Sequence, residues 1–196
     1  PADWYSGAAR HARERREIFA RSWQFAAHES AIAAPGDYVA ATIAGYPALV
    51  LRDAAGTLRA FHNVCRHRAG PLVADASGRC EGALVCRYHG WKYALDGRLV
   101  SPRDFGPAAD FDARDHGLFT LQAESWRGLV FVAIEPCAPL ADLLQPVADR
   151  LGAADWSGLA LGAVRTHLLR CNWKPYVENY LEGYHVPTLH PALDAD

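Results

Sequence analysis

The spacing of apolar and polar residues changes character along the chain. Residues 8 to 23, AARHARERREIFARSW, place Ile18, Phe19 and Trp23 on one edge and a run of Arg and Glu on the other. That predicts a helix with a solvated face. Pro35-Gly36 ends this texture. From there to about residue 137 the chain breaks into short alternating stretches, DYVAATIAGYPALVLR, TLRAFHNV, GALVCRYHGWKYALDGRLV and SWRGLVFVAIEP. Alternation of this kind predicts antiparallel strands, and Asp96-Gly97 is a two-residue hairpin signal between two of the runs. From about 139 the texture is helical or loop-like, and LGAVRTHLLRCNW predicts one more strand. KPYVENYLEGYH then has helical spacing, which Pro187 is expected to stop. The expected architecture is α+β: a helical segment at 1–36, a small all-β domain at 37–137, and the start of a further domain at 138–196.

Composition narrows the function classes. Of 196 residues, 51% are hydrophobic and 21% charged, with a formal net charge of -2, so the chain is expected to be globular rather than disordered. Lys and Arg number 20 against 22 Asp and Glu, which leaves no basic excess for a nucleic-acid footprint. No apolar run reaches the roughly 18 residues of a membrane helix, and no secretory signal is visible, so a cytoplasmic location is expected. No internal repeat or Gly-rich phosphate loop is present. The chain starts at Pro1 and contains no Met, which is unusual for a cytosolic chain of this length; the expectation is either a fragment or a sequence that has lost its Met positions.

The five cysteines are too scattered for a secreted disulfide framework. Two of them sit in mixed pairs: Cys65-Arg66-His67 and, after eighteen intervening residues, Cys86-Arg87-Tyr88-His89. Each pair offers one thiolate and one imidazole from a short loop beside a strand-like run. A two-Cys, two-His zinc finger instead groups its cysteines in one pair and its histidines in another. A [2Fe–2S] cluster with two Cys on one iron and two His on the other needs the mixed order. Cys80, Cys137 and Cys171 have no partner at ligand spacing and are expected to be small buried apolar residues. His11, His28, His62, His116 and His167 are expected at the surface or as satisfied core residues, His62 being the nearest to the first loop.

These residues resemble the Rieske motif, Cys65-x-His67 with Cys86-x-x-His89-Gly90-Trp91. The resemblance implies that Cys65 and Cys86 hold the inner iron and His67 and His89 the solvent-facing one. It implies that Arg68, Gly70 and Pro71 shape the first loop, and Gly90 and Trp91 the second. Neutral imidazoles in place of thiolates lower the negative charge of the cluster and raise its reduction potential.

The segment from Asn172 to Pro191 carries a second pair of metal-ligating side chains, His185 and His190. On an unbroken helix they would stand about 140° apart, too far to share a metal. A bend at Pro187 would let His190 return beside His185. Glu182, three residues before His185, is expected on the same helical face, where it can orient that imidazole. Taken alone, His-x4-His is as readily two surface or core histidines.

With the first site, however, this segment resembles the mononuclear iron motif of the terminal oxygenase (α) subunit of Rieske non-haem iron oxygenases, the ring-hydroxylating dioxygenase family. The resemblance runs over nearly the whole chain and implies an α+β, helix-grip-like catalytic domain that is incomplete here. It implies that His185 and His190 belong to a two-His, one-carboxylate triad on Fe(II). Asn179 would lie close to the iron, and Glu182 would bridge His185 to His89 of a neighbouring subunit. By the same resemblance the protein is a homotrimer, with or without a β subunit. Electrons come from NAD(P)H through a separate reductase, with or without a ferredoxin, and O2 and a small organic substrate complete the reaction. Many ring-hydroxylating members have Asp where this chain has Glu182, whereas Glu is found in relatives acting on quaternary ammonium compounds. Aromatic hydroxylation and oxidative demethylation therefore both stay open. The carboxylate ligand comes from later in the family's catalytic domain, and neither Asp194 nor Asp196 is assigned that role. The competing readings are a stand-alone Rieske ferredoxin, which leaves Glu182, His185 and His190 without purpose, a zinc-stabilised interaction domain, and an inactive scaffold that keeps the cluster.

Overall fold

A computed structural model describes residues 1–106, 108–154, 156 and 158–194. In chain order they form helices α1 (Asp3–Ser6) and α2 (Ala8–Glu17) and strands β1 (Gln24–His28), β2 (Asp37–Ile43), β3 (Tyr46–Arg52), β4 (Leu58–His62) and β5 (Ser77–Arg79). There follow β6 (Ala83–Val85), β7 (Lys92–Ala94), β8 (Leu99–Ser101), β9 (Thr120–Trp126) and β10 (Leu129–Ala133), then helices α3 (Leu140–Leu151), α4 (Trp173–Leu181), α5 (Val186–Leu189) and α6 (Pro191–Asp194). The chain divides into two compact units, Arg15–Gly162 and Pro1–Glu14 with Ala163–Asp196.

Tight hairpins set the register of the first unit. Ala44 and Gly45 between β2 and β3, and Arg127 and Gly128 between β9 and β10, all have positive φ. Two consecutive left-handed residues are the requirement of a type I′ turn, whose twist matches that of the paired strands. The strands build a seven-stranded antiparallel sheet in the order β1-β10-β9-β4-β3-β2-β5, and β6-β7-β8 form a second, three-stranded sheet. β3 shows why the larger sheet holds: Leu49 and Leu51 face one core, and Ala48 and Val50 face the other. With both faces covered, the strand reads as a continuous apolar run. The first core, which also takes Leu84, Tyr93 and Leu99 from the small sheet, contains Cys65, Cys86 and Trp91.

Several sequence expectations are corrected. The helix expected over 8–23 ends at Glu17, followed by a 3-10 turn at Phe19–Arg21, and residues 24–28 form the edge strand β1 on β10. Ile18-Phe19 is β-branched and aromatic, a weaker helix former than the Arg/Glu run before it. The strand expected in LGAVRTHLLRCNW pairs with no other strand among the described residues. Alternation supplies only one side of a ladder, and Val164 and Leu168 stay 75% and 91% exposed. The helix of KPYVENYLEGYH stops at Leu181, where Glu182 is extended (φ -124, ψ 153), and Pro187 opens α5 instead of ending the helix before it. Pro is favoured in a first helical turn because its missing N–H has no partner there to lose. No helix among the described residues is long and apolar enough to cross a membrane.

Candidate metal centres

The two Cys/His loops are built on one plan. In the first, the Cys65 N–H donates to the Gly70 carbonyl (2.8 Å) and the Ala69 N–H to the Cys65 carbonyl (3.0 Å). In the second, the Cys86 N–H donates to the Trp91 carbonyl (2.9 Å) and the Gly90 N–H to the Cys86 carbonyl (2.8 Å). The residue four after each cysteine is left-handed, Ala69 at φ 55 and Gly90 at φ 74. The turn reverses the chain so that the cysteine points inward and the histidine stays near the rim. Asn63, itself buried, closes the first loop. Its Nδ2 donates to the Val73 carbonyl (2.9 Å), and its Oδ1 accepts the N–H groups of Leu72 (2.9 Å) and Val73 (3.1 Å).

Cys65 and Cys86 are 3% and 2% exposed, and their sulfurs are within hydrogen-bonding reach of each other. The rings of His67 and His89 meet edge to face, 4.7 Å between centroids, and His67 stacks on Trp91 at 4.9 Å and 7°. Burial pushes the Cys86 thiol up and its Cys65 neighbour adds to this, while the N–H groups of Tyr88 and His89 pull it down. Burial, then the nearby charges of His67 and Arg68, pull the His89 imidazole down. Tyr93 Oη lies 3.2 Å from Cys65 Sγ and accepts the Arg66 N–H at 3.0 Å. With an oxygen lone pair taken by Arg66, the phenol proton is free to point at sulfur. Burial and the Cys65 contact raise the Tyr93 pKa, which keeps that proton in place.

These donors suit a two-iron cluster better than a single ion. The two buried sulfurs belong to one core, and the two imidazoles nearer the surface meet each other edge to face, so sulfur and nitrogen donors form two pairs. Tetrahedral zinc needs its donors gathered on one point. Gly70 on the first loop packs against Cys86 and Tyr88 of the second: a Cβ there would stand 3.4 Å from Cys86 Sγ.

The second candidate site begins at α4, which Asn172 caps by accepting the Lys174 N–H at 3.1 Å. Beyond Leu181 the extended Glu182 folds its carboxylate over the next turn. Glu182 Oε2 accepts the N–H groups of Tyr184 and His185, and Oε1 bonds His185 Nδ1. These contacts, that to the His185 ring foremost, hold the Glu182 carboxyl below the usual carboxylate range. The expected Glu182–His185 pairing is therefore present, but it is made by a C-terminal turn and not by a shared helical face. With Nδ1 engaged, Nε2 of His185 is the nitrogen left for a metal. His185 and His190 flank the four-residue α5, their rings 5.5 Å apart at 80°. Asn179 lies near the end of α4, exposed.

The remaining candidates separate. Cys80 is half-buried against the first core, but Cys137 and Cys171 are exposed, contrary to expectation, one on the segment after β10 and one beside the start of α4. His62 stands edge-on to Tyr46 and Phe119 at 6.0 and 6.5 Å, apart from the cluster histidines. Sequence reasoning missed Tyr93 and Asn63. Their signal was slight: an inward-phase Tyr in β7 and a polar residue two before the first cysteine.

Comparison with known proteins places the chain in a family. Residues 22–112 match the model of the Rieske [2Fe–2S] domain, and residues 153–195 match that of the ring hydroxylating alpha subunit (catalytic domain). The glycine betaine monooxygenase oxygenase subunit of Chromohalobacter salexigens is 37% identical over 98% of this chain and 43% of its own length. The carnitine monooxygenase oxygenase subunit of Acinetobacter pittii is 34% identical over 98% of this chain and 53% of its own. The chain thus spans about half the length of the curated relatives it matches. Among solved structures, the quaternary ammonium Rieske monooxygenase CntA with L-carnitine superposes with a TM-score of 0.90 at 33% identity, over 100% of this chain and 56% of that one. Naphthalene 1,2-dioxygenase from Rhodococcus sp. with indole gives 0.79 at 31%, over 98% and 47%. On its two candidate sites and these likenesses, the chain belongs to the Rieske non-haem iron oxygenases, with a Rieske domain followed by part of an α-subunit catalytic domain.

Proposed function

We propose that this chain belongs to the terminal oxygenase component of a cytoplasmic Rieske-type oxygenase. It uses O2 and electrons from NAD(P)H, delivered by a separate reductase, to oxidise a quaternary ammonium compound. Cys65, His67, Cys86 and His89 are the residues to hold the [2Fe–2S] cluster. His185 and His190 are two ligands of Fe(II), with a carboxylate as the third. Bound there, the two groups supply one-electron transfer and activation of dioxygen.

The chain's own residues prepare for this in separate ways. The Tyr93 hydroxyl and the N–H groups of Tyr88 and His89 lie against the cysteine sulfurs, where they favour added negative charge. Glu182 holds a proton at His185 Nδ1 and so turns Nε2 outward. The same carboxylate is the proposed bridge to His89 of a neighbouring subunit in a homotrimer.

One observation carries the reading: Glu182 engaged on His185, with His190 alongside, in the same chain as a complete set of cluster donors. A stand-alone ferredoxin has no use for the former. The quaternary ammonium class is supported by relatives named for glycine betaine and carnitine, and by Glu at position 182. Product analysis with these two compounds and a panel of aromatic acids, in the presence of a surrogate reductase, tests it. Demethylated or hydroxylated amine is expected. Reduction of the cluster without any product, in wild type and His185→Ala alike, would favour the electron carrier.

A further inference from the structure

Among the described residues, Glu14, Asp53 and Asn63 are polar side chains that are buried. Asp53 caps the turn between β3 and β4, and Asn63 closes the first cluster loop. Glu14 serves neither the cluster nor the sheet. It is 6% exposed, and its carboxylate faces the first turn of α4: Lys174 Nζ bonds Oε1, and Trp173 Nε1 donates to Oε2 at 2.9 Å. Lys174 Nζ also donates to the Trp4 carbonyl at 2.9 Å. One helical turn further on, Glu178 Oε1 accepts the Tyr5 hydroxyl at 2.9 Å. Lys174 and Glu178 are four apart and share a face of α4. The first fourteen residues therefore tie that face at two successive levels.

We propose that this N-terminal segment is a splint for the iron-site helix, with Glu14 as its positioning residue. Through Lys174 and Trp173, Glu14 sets the rotation of α4 about its axis, and thereby the direction in which Glu182 leaves the helix to meet His185. The proposal rests on His185 and His190 being iron ligands.

The choice of residue types supports an orienting role. An apolar contact between two helices is tolerant of rotation, whereas a carboxylate bonded to an ammonium and an indole N–H is satisfied in one setting. Burying an ion pair contributes little net stability compared with an apolar pair, so its value lies in the orientation it selects. The lever is short. Leu181, where Glu182 leaves the helix, follows Lys174 by seven residues, about 10.5 Å along the axis at 1.5 Å per residue.

The test uses the intact protein with Co(II) as the probe of the His185/His190 site. Glu14→Gln keeps the shape and removes the charge, and Tyr5→Phe removes the second tie. Three quantities are read: the visible spectrum of the cluster, Co(II) affinity, and hydrogen exchange of the α4 amides in metal-free protein. Glu14→Gln is expected to weaken Co(II) binding on the order of tenfold, the lower end for an outer-shell partner. It should also speed α4 exchange and leave the cluster spectrum unchanged. Tyr5→Phe adds a smaller loss, and Glu14→Asp recovers part of the affinity. Unchanged Co(II) affinity and α4 exchange in the Glu14→Gln, Tyr5→Phe double variant would overturn the splint. So would parallel loss of cluster and Co(II), which marks a general stabiliser. Wild-type protein with no His185-dependent Co(II) binding would instead overturn the iron assignment beneath it.

Discussion

The two candidate metal regions are built to different degrees of closure. Around the cluster donors, two loops repeat the same pair of backbone hydrogen bonds, and the sulfurs sit in a core with Trp91 and Tyr93. Around His185, the framework is one helix end, one carboxylate and a four-residue turn, with Tyr184 94% and Leu189 67% exposed. On the proposed function the first region is an electron relay, which works best when its surroundings change little on reduction, as a packed core enforces. On the same proposal the second admits dioxygen and an organic substrate at open positions, so its ligands are held by a few directed bonds. The difference is one of preorganisation by packing against preorganisation by hydrogen bonds.

The largest effects should cross over between the regions. Cys86→Ser removes a sulfur donor from the core side and is expected to abolish the cluster's visible and reduced-state EPR signals while metal binding at His185 persists. His185→Ala should do the reverse, with turnover at background and the cluster spectrum intact. If either variant emptied both sites, the two regions would not be separately built. Next in size is Glu182→Gln, which keeps both metals but weakens the grip on His185 Nδ1. Single-turnover transfer from reduced cluster to iron should slow by about 10- to 100-fold, the range for an outer-shell partner. An unchanged rate would leave Glu182 without its bridging role.

How much of this was legible beforehand follows the same division. The cluster donors could be read because their chemistry needs four specific side chains at short spacing, and the hairpin at Asp96-Gly97 is seen with Gly97 at φ 92. Most strands of the β domain were readable from short alternating or continuous apolar runs between turn signals, which are local features of the sequence. β1 was not, because QFAAH has no clear period and depends on β10, about a hundred residues away. At the proposed iron site the candidate residues could be singled out, but the backbone that brings them together could not. Glu182 reaches His185 by leaving the helix, a choice made by its own capping bonds, and helical periodicity cannot register it. Glu14 was hidden as one acid in a charged run, since burial depends on Lys174, far along the chain. Cys137 and Cys171 were misjudged on composition, which ranks cysteine as buried without knowing where elements end.

A smaller effect sharpens the packed side of the comparison. Tyr93 donates to Cys65 Sγ, and a reduced cluster places more negative charge on its sulfurs, so the bond strengthens on reduction. Tyr93→Phe should therefore lower the midpoint potential. A bond stronger by about 1.4 kcal/mol in the reduced state corresponds to about 59 mV for one electron. Protein-film voltammetry would show the shift, and a potential equal to or above wild type would exclude a donor role for the hydroxyl. The iron histidines should keep their Co(II) affinity, because nothing in Tyr93's contacts reaches them within its own unit.

The smallest effect concerns acid. Hydrogen bonds from Lys174, then from Trp173, lower the Glu14 pKa below its ordinary value of 4.5, against the opposing pull of burial. A carboxylate depressed in the folded state contributes stability that is fully present above the unfolded value and is lost as pH falls through the folded one. His11 Nδ1 lies 3.9 Å from Glu14 Oε2 and attracts it when the ring is protonated. Protection of α4 amides should thus be kept from neutrality down to the carboxylate range, with any protonation of His11 only adding to it, and fall below that range. In Glu14→Gln the protection should start lower and lose most of that acid dependence. On the cluster side, Asp112 is held down at about 2 by the side chain and N–H of Arg114, so the contribution of its turn persists until that range is reached. Loss of protection in both places at the same pH would mean that the two regions melt as one, and that the hydrogen-bonded side is no easier to loosen than the packed one.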